Sequence, residues 1–241
     1  METRKARRAA KTWAPTPRTW QASWWVGGNG SKLLVTLARA ASALEAVGQS
    51  LHVVAVDPDT VSEANLVRQA FLPADLGRNK AEVLIGRVNR LYGRAWEWRA
   101  RPFEPEDLRL DPDAVVTAVD SRRARREVWE ALRELKPYGF WWVDLGNGDR
   151  YGQVLAGKGS PEAPYPAERE PSLVEGEEEE GPSCSVLEAL RRQDLLVNDL
   201  AAVWAAELVW QILREGRPRY LGVYYDLDRG TTRSVPFPSE G

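Results

Sequence analysis

The stretch from residue 24 to residue 80 constrains the fold most. It opens WWVGGNGSKLL, an apolar run that gives way to glycines and then to a helical pattern. Residues 20–26 are apolar enough for a buried strand, and Gly27, Gly28 and Gly30 permit a tight turn because glycine has no Cβ. Residues 31–47 space Leu33, Leu34, Leu37, Ala38, Ala41 and Leu44 as one buried helical face, and Gly48 suits a helix end. The run LHVVAVD, residues 51–57, reads as a short strand ending in an acid.

Strand, glycine turn, helix and strand in about forty residues form a βαβ unit. The expected fold is therefore α/β: a Rossmann-like, doubly wound, mostly parallel sheet. The later pattern extends it. Residues 77–92 predict a helix, 96–100 and 113–120 strands, 121–135 an Arg-rich helix, and 139–148 and 151–157 two further strands. Residues 58–72 read as mostly irregular, with a short helix over 64–69. Two C-terminal helices are expected near 184–193 and 196–214, then a β-hairpin turning at 228–230.

Two segments stand apart in composition. Residues 1–19 are basic and contain proline, and predict a flexible arm ahead of one domain spanning 20–241. Residues 158–183 carry several prolines and the acidic run EGEEEE, and predict an exposed, mobile loop. A loop of that length inside a domain normally signals function.

Bulk properties exclude several classes. The 241 residues carry a net charge of -2, which gives no electrostatic case for nucleic acid. One cysteine, Cys184, and one histidine, His52, are too few for a structural zinc site, so no zinc is expected. No apolar run reaches membrane-spanning length, and no signal-peptide core follows the basic start, which predicts a cytoplasmic protein. The 11 tryptophans are expected in the core or at an interface, and His52 at a strand start is expected to be structural.

In a doubly wound sheet the ligand crevice lies at the carboxyl ends of the strands. The glycine turn, Asp57, the 58–80 connection and Asp120 all fall at such ends. Glycine N–H groups and a helix start favour phosphate. Asp57 can accept from ribose hydroxyls, Arg68 and Lys80 can neutralise phosphate oxygens, and Asp120 can hold a magnesium ion. Each has a plainer alternative: Asp57 as a turn cap, Arg68 in a surface ion pair, Lys80 solvated, and Asp120 as the N-cap of the next helix. Asp59 is expected only to shape its loop, and Arg122, Arg123, Arg125 and Arg126 to form a solvated helix face, with Arg122 or Arg123 approaching an anionic ligand as the alternative.

The order DPDTVSEANLVRQ, then DLGRNKA, then AVDSR resembles the ThiF/MoeB/HesA superfamily, the activating enzymes of ubiquitin-like proteins. The resemblance is strongest over residues 24–120. The segment PSCSVLEALRRQDLLVN is similar to the ThiF-related proteins of bacterial PRTRC gene systems. The resemblance implies adenylation: ATP and the C-terminal carboxylate of a β-grasp protein give an acyl-adenylate and pyrophosphate. It further implies that Asp57 binds ribose, that Asn65 and Arg68 contact phosphates, that Lys80 stabilises the transferring phosphoryl group, and that Asp120 binds Mg2+. Gly27, Gly28 and Gly30 would form the backbone floor. A homodimer and a conjugating-enzyme-like partner are implied too, with an arginine of the arm such as Arg18 reaching the neighbouring ATP site.

The sequence departs from the pattern in three places. The family turn usually reads GxGGxG, and either Trp25 stands at its first glycine, if GGNGS aligns without a gap, or one residue is missing between Gly27 and Gly28. The zinc cysteine pairs of many relatives are absent. Only Cys184 could form a thioester, and a thiolate near Glu177–Glu180 is electrostatically disfavoured, so an inert small residue is the alternative. Two other functions remain open: a non-catalytic nucleotide-binding scaffold of the same fold, and an NAD-dependent oxidoreductase. The second leaves Arg68 and Lys80 without a role.

Overall fold

A computed structural model describes residues 19–25, 28–110, 112–119, 121–135, 139–176 and 194–238, with side chains omitted at 19–29, 67, 68, 109, 110 and 135. The expected arm over residues 1–18, Gly27, Asp120, the acidic positions 177–180, Cys184 and the helix expected near 184–193 lie outside the described residues.

Eight strands form one sheet in the order β3-β2-β1-β4-β5-β6-β7-β8. They are β1 (Thr19–Trp25), β2 (Ser50–Val56), β3 (Glu97–Arg99), β4 (Ala114–Thr117), β5 (Trp141–Asn147), β6 (Tyr151–Gly157), β7 (Gly222–Asp226) and β8 (Thr231–Val235). Strands β1 to β5 pair in parallel, whereas β5 to β8 form an antiparallel meander ending in the expected hairpin. The α/β, doubly wound reading holds. The chain leaves β1 for β2 and β3 on one side and re-enters at β4 on the other. The carboxyl ends of β1 and β4 thus flank a topological switch point, where sheets of this kind bind ligands.

The helices follow from apolar spacing and local caps. Helix α1 (Gly28–Glu45) buries Leu33, Leu34, Leu37, Ala38, Ala41 and Leu44 almost completely. The short α2 (Glu63–Arg68) lies in the 58–80 connection. Helix α3 (Lys80–Tyr92) starts three residues later than its apolar pattern suggested. Gly77 takes a φ of +78°, which no helix accommodates, and Asn79 caps the helix by accepting from the Glu82 N–H at 3.1 Å. At its far end Gly93 takes the left-handed conformation that terminates many helices. Helices α4 (Arg122–Leu135), α5 (Pro166–Arg169) and α6 (Val197–Glu215) follow.

Helix α1 packs against α3 and α6, while α5 and α6 both contact β5 and β6. Every residue from 141 to 146 is buried, as are 154 to 157, the mark of strands covered on both faces. Strands β3 and β4 are shorter than expected, since Trp96, Ala100, Ala118 and Val119 fall outside them.

One expectation fails over its described part. Residues 158–176, read as part of an exposed loop, are packed. Ala163, Tyr165, Ala167, Leu173 and Val174 are buried, and Tyr165 meets the Trp142 ring edge-on with centroids 6.1 Å apart. Burial lifts the Tyr165 phenol to about 12, with Glu168 adding to the shift. The glycine Gly157 lets this strap cross β6, because a Cβ there would lie 1.9 Å from the Pro164 carbonyl oxygen.

Helix α4 holds the strap, so its arginines form a solvated face only in part. Arg122 Nε donates to the Ser172 carbonyl at 3.2 Å and Arg126 Nε to that of Val174 at 2.8 Å. Arg125 turns inward onto Asp144. Arg123 and Arg126 are exposed as expected, and Arg123 pairs with Glu127 one turn on. His52 sits within β2 and faces Glu97 on β3 at 3.2 Å, a structural placement.

Candidate active site

The connection from β2 to α3 builds the site, and main-chain bonds set its shape. Two stretches, 57–61 and 77–80, run side by side. The Val61 N–H donates to the Arg78 carbonyl, Gly77 N–H to Val61, and Lys80 N–H to Asp59, each at 2.9 Å. The Asn79 amide donates to the carbonyls of Asp57 at 2.7 Å and Asp59 at 3.1 Å. These bonds bring Asp57, at the carboxyl end of β2, next to Lys80, the first residue of α3.

Asp57 is 4 % exposed, and its Oδ1 accepts the Asp59 N–H at 2.8 Å. It therefore caps the turn after β2, the plainer of its two expected roles, while standing at the strand end where the other would be performed. Lys80 is not solvated. It is 7 % exposed, and its Nζ donates to Asp59 Oδ2 at 2.9 Å. Asp59, expected only to shape its loop, does so through its main chain and pairs Lys80 through its side chain.

Asn65 is buried in α2, with Oδ1 accepting from Ser62 N–H at 2.9 Å and Ser62 Oγ at 3.0 Å. Its oxygen thus caps the helix start. Arg68 is the last residue of α2, and its side chain lies outside the described residues. Gly28 and Gly30, expected in a turn, lie inside the first turn of α1. The first N–H groups of an α-helix have no partner within it, so the helix start itself presents donors at the switch point.

Several positioning residues escaped sequence reading. Buried Ser31, in the first turn of α1, accepts the Ala70 N–H on Oγ at 3.0 Å and ties the segment after α2 to the switch point. Arg87 grips that segment from α3 by donating to Asp75 at 2.6 Å, and Asp75 Oδ2 accepts the Leu72 N–H at 2.8 Å. Asn79 too was missed, although its place before an apolar helical run is a signal for an N-cap. Ser31 and Arg87 gave no such signal, since their partners are fixed only by the fold.

A second polar cluster lies beside the crevice. Thr117, the last residue of β4, is in register with Asp144 on β5 and donates to it. Trp142 Nε1 donates to Thr117 Oγ1 at 2.8 Å, and Arg125 NH2 reaches the Leu145 carbonyl at 3.0 Å. This cluster brackets the link between β4 and α4. Nearby, Lys32 on α1 pairs with Asp199 on α6, and Asn147 donates to Asn198 at 3.1 Å, so the two helix starts sit together.

Among the described residues no group of three or more His, Cys, Asp or Glu could hold a metal, and no helix is long and apolar enough to cross a membrane.

Comparison with known proteins agrees with this architecture. A crystal structure of PaaA superposes with a TM-score of 0.66 at 15% identity, covering 94% of this chain and 66% of that one. Escherichia coli MccB with MccA-N7isoASN gives 0.65 at 17% identity, covering 92% and 65%. MccB with ATP gives 0.61 at 17% identity, covering 94% and 65%. The chain thus spans slightly less than two thirds of the length of these structures, and at such identities the likeness is one of fold. No curated protein sequence matches it. Residues 26–238 match the ThiF family over most of the chain's length, and the chain belongs to that family.

Proposed function

We propose that this protein adenylates the C-terminal carboxylate of a ubiquitin-like β-grasp protein, using ATP and releasing pyrophosphate. The observation that carries the reading is the juxtaposition of Asp57 and Lys80 at the carboxyl end of β2, set by main-chain bonds and the Asn79 amide across a gap of about twenty residues. Crystal structures of MccB with ATP, and with AMPCPP and MccA, lend support, because that fold accommodates a nucleotide together with a second molecule.

In the reaction a carboxylate oxygen attacks the α-phosphorus. The bond to the bridging oxygen breaks, and its electron pair leaves with pyrophosphate. Negative charge builds on phosphate oxygens, so catalysis rests on orientation and fixed positive charge. Asp57 accepts from the ribose hydroxyls. Lys80 and Arg68 would neutralise the phosphates, and Asn65 would contribute its NH2 group, since its oxygen is taken by Ser62. The backbone at Gly27, Gly28 and Gly30 would supply the floor. Asp120 would hold Mg2+, which offsets phosphate charge when bound. Cys184 is the one residue that could carry a thioester, and the adenylation step is complete without it.

The same reading has the enzyme as a homodimer with an arginine of the basic arm, such as Arg18, at the neighbouring site, and a conjugating-enzyme-like protein downstream. The PRTRC-type likeness of its C-terminal half suits a bacterial setting. ATP–pyrophosphate exchange with purified β-grasp proteins tests the proposal. Exchange that vanishes in Asp120→Ala and Lys80→Met supports it. ATP binding without exchange in the presence of the true partner points to a scaffold of the same fold. NADH bound in preference to ATP would overturn both.

A further inference from the structure

We propose that Asp59 is the positioning residue of Lys80: it fixes where the lysine ammonium stands before the triphosphate arrives. The proposal rests on the adenylation reading above and assigns a task to a side chain which that reading leaves idle.

Lys80 is bonded to Asp59 at both ends. Its N–H donates to the Asp59 carbonyl at 2.9 Å, and its Nζ donates to Asp59 Oδ2 at 2.9 Å. As the first residue of α3, Lys80 has a main-chain N–H without an intrahelical partner, and Asp59 supplies one. The second bond closes a ring between the two residues. A lysine has four rotatable bonds and loses much rotamer freedom when held. Here the stem is buried, and the carboxylate selects one place for the ammonium.

Asp59 is itself anchored. Its N–H donates to Asp57 Oδ1 at 2.8 Å, and its carbonyl also accepts from the Asn79 amide at 3.1 Å. The ammonium of Lys80 is thereby referred to Asp57, the residue assigned to ribose, through a short chain of bonds. Loop shape alone does not call for the Asp59 carboxylate. The loop is held by main-chain groups and by Asn79, whereas among the described residues that carboxylate bonds only Lys80. The Asp59 side chain is 63 % exposed while that of Lys80 is 9 % exposed. An ion pair with one exposed partner is weak, so incoming phosphate oxygens can share the ammonium without a large penalty.

The test compares ATP with adenosine, because Asp59 acts on phosphates through Lys80 and not on the nucleoside. Dissociation constants for Mg2+-ATP and for adenosine are measured by calorimetry on wild type, Asp59→Ala, Asp59→Asn, Lys80→Met, and Asp59→Ala combined with Lys80→Met. Asp59→Ala is expected to weaken ATP by roughly three- to tenfold and to leave adenosine within about twofold. Asp59→Asn, which keeps an oxygen for the ammonium, loses less. With Lys80→Met in place, Asp59→Ala causes no further loss. Equal weakening of ATP and adenosine would make Asp59 a loop scaffold and overturn the proposal. So would unchanged or tighter ATP binding in Asp59→Ala, or an equal loss without Lys80. A wild type that binds no ATP overturns the adenylation reading and this one with it, whereas a wild type that binds ATP with a silent Asp59 overturns only the positioning role.

Discussion

Arg125 lays its Nε against both carboxylate oxygens of Asp144, at 3.0 and 3.1 Å, with Asp144 fully buried and Arg125 nearly so. Each charge is tolerable inside the protein only because of the other, together with the Thr117 hydroxyl and the Leu145 carbonyl. Truncating one partner strands the second. Arg125→Met is expected to destabilise the fold by about 3–5 kcal/mol, and Asp144→Asn by less because the amide oxygen still accepts from Thr117 and Arg125. Urea unfolding followed by circular dichroism measures both, and equal small losses would show that the pair is dispensable.

Lys80→Met separates function from stability. Methionine keeps the apolar stem and removes the ammonium, and the Asp59 carboxylate left behind is exposed enough to stay hydrated. The melting temperature should move by only a few degrees, while ATP affinity falls about ten- to hundredfold, the range for losing a charged hydrogen-bond partner. Calorimetric titration with Mg2+-ATP alongside a thermal melt reads both numbers.

Two glycines should respond in opposite directions to alanine. At Gly157 the added Cβ would press on the main chain of Pro164 and Tyr165, so backbone rather than a flexible side chain would have to shift. Gly157→Ala is expected to cost about 2–3 kcal/mol. At Gly86, inside α3, a Cβ meets nothing within 4 Å, so Gly86→Ala should stabilise by roughly 0.5–1 kcal/mol through helix propensity. Chemical denaturation of the two variants side by side tests the contrast.

The buried tyrosines predict a steep alkaline limit. Burial raises the phenols of Tyr165, Tyr224 and Tyr225, and Tyr224 is raised further by its bond to Glu170. A pKa raised on folding contributes stability that is complete below the unfolded value near 10 and is lost as pH climbs toward the folded value. Stability should therefore hold up to about pH 10 and then drop. Tyr225 donates to the Val197 carbonyl at 3.0 Å, so Tyr225→Phe should cost about 1 kcal/mol at neutral pH and flatten the drop. Urea midpoints collected from pH 7 to 11 check both parts.

What the sequence disclosed depended on how local the cause was. Helix α1 and strand β2 were legible because their burial follows from spacing within the element. Asp57 and Lys80 could be singled out as candidates because their neighbours in sequence form a specific string. The strap over 158–176 was misread because its proline-rich composition looks solvated, while its burial comes from Trp142 and from α4. Buried Arg125 on α4 was misread for the same reason. Arg125 has its partner 19 residues away on another element, and nothing local distinguishes it from Arg123. Asp59 was set aside because pairing with Lys80 needs the turn that brings position 59 back to position 80.

The side-by-side run of 57–61 with 77–80 also decides where this gene can change length. Its bonds join carbonyls to N–H groups, so they are indifferent to the identity of most side chains but sensitive to count. One residue added between 58 and 61, or between 77 and 79, would shift every later bond by one place and carry Asp57 out of line with Lys80. Residues added near the exposed turn at Leu72 and Leu76 would bulge outward and leave the alignment intact. Variation in length among related chains should therefore gather in that middle stretch and be almost absent from its two ends.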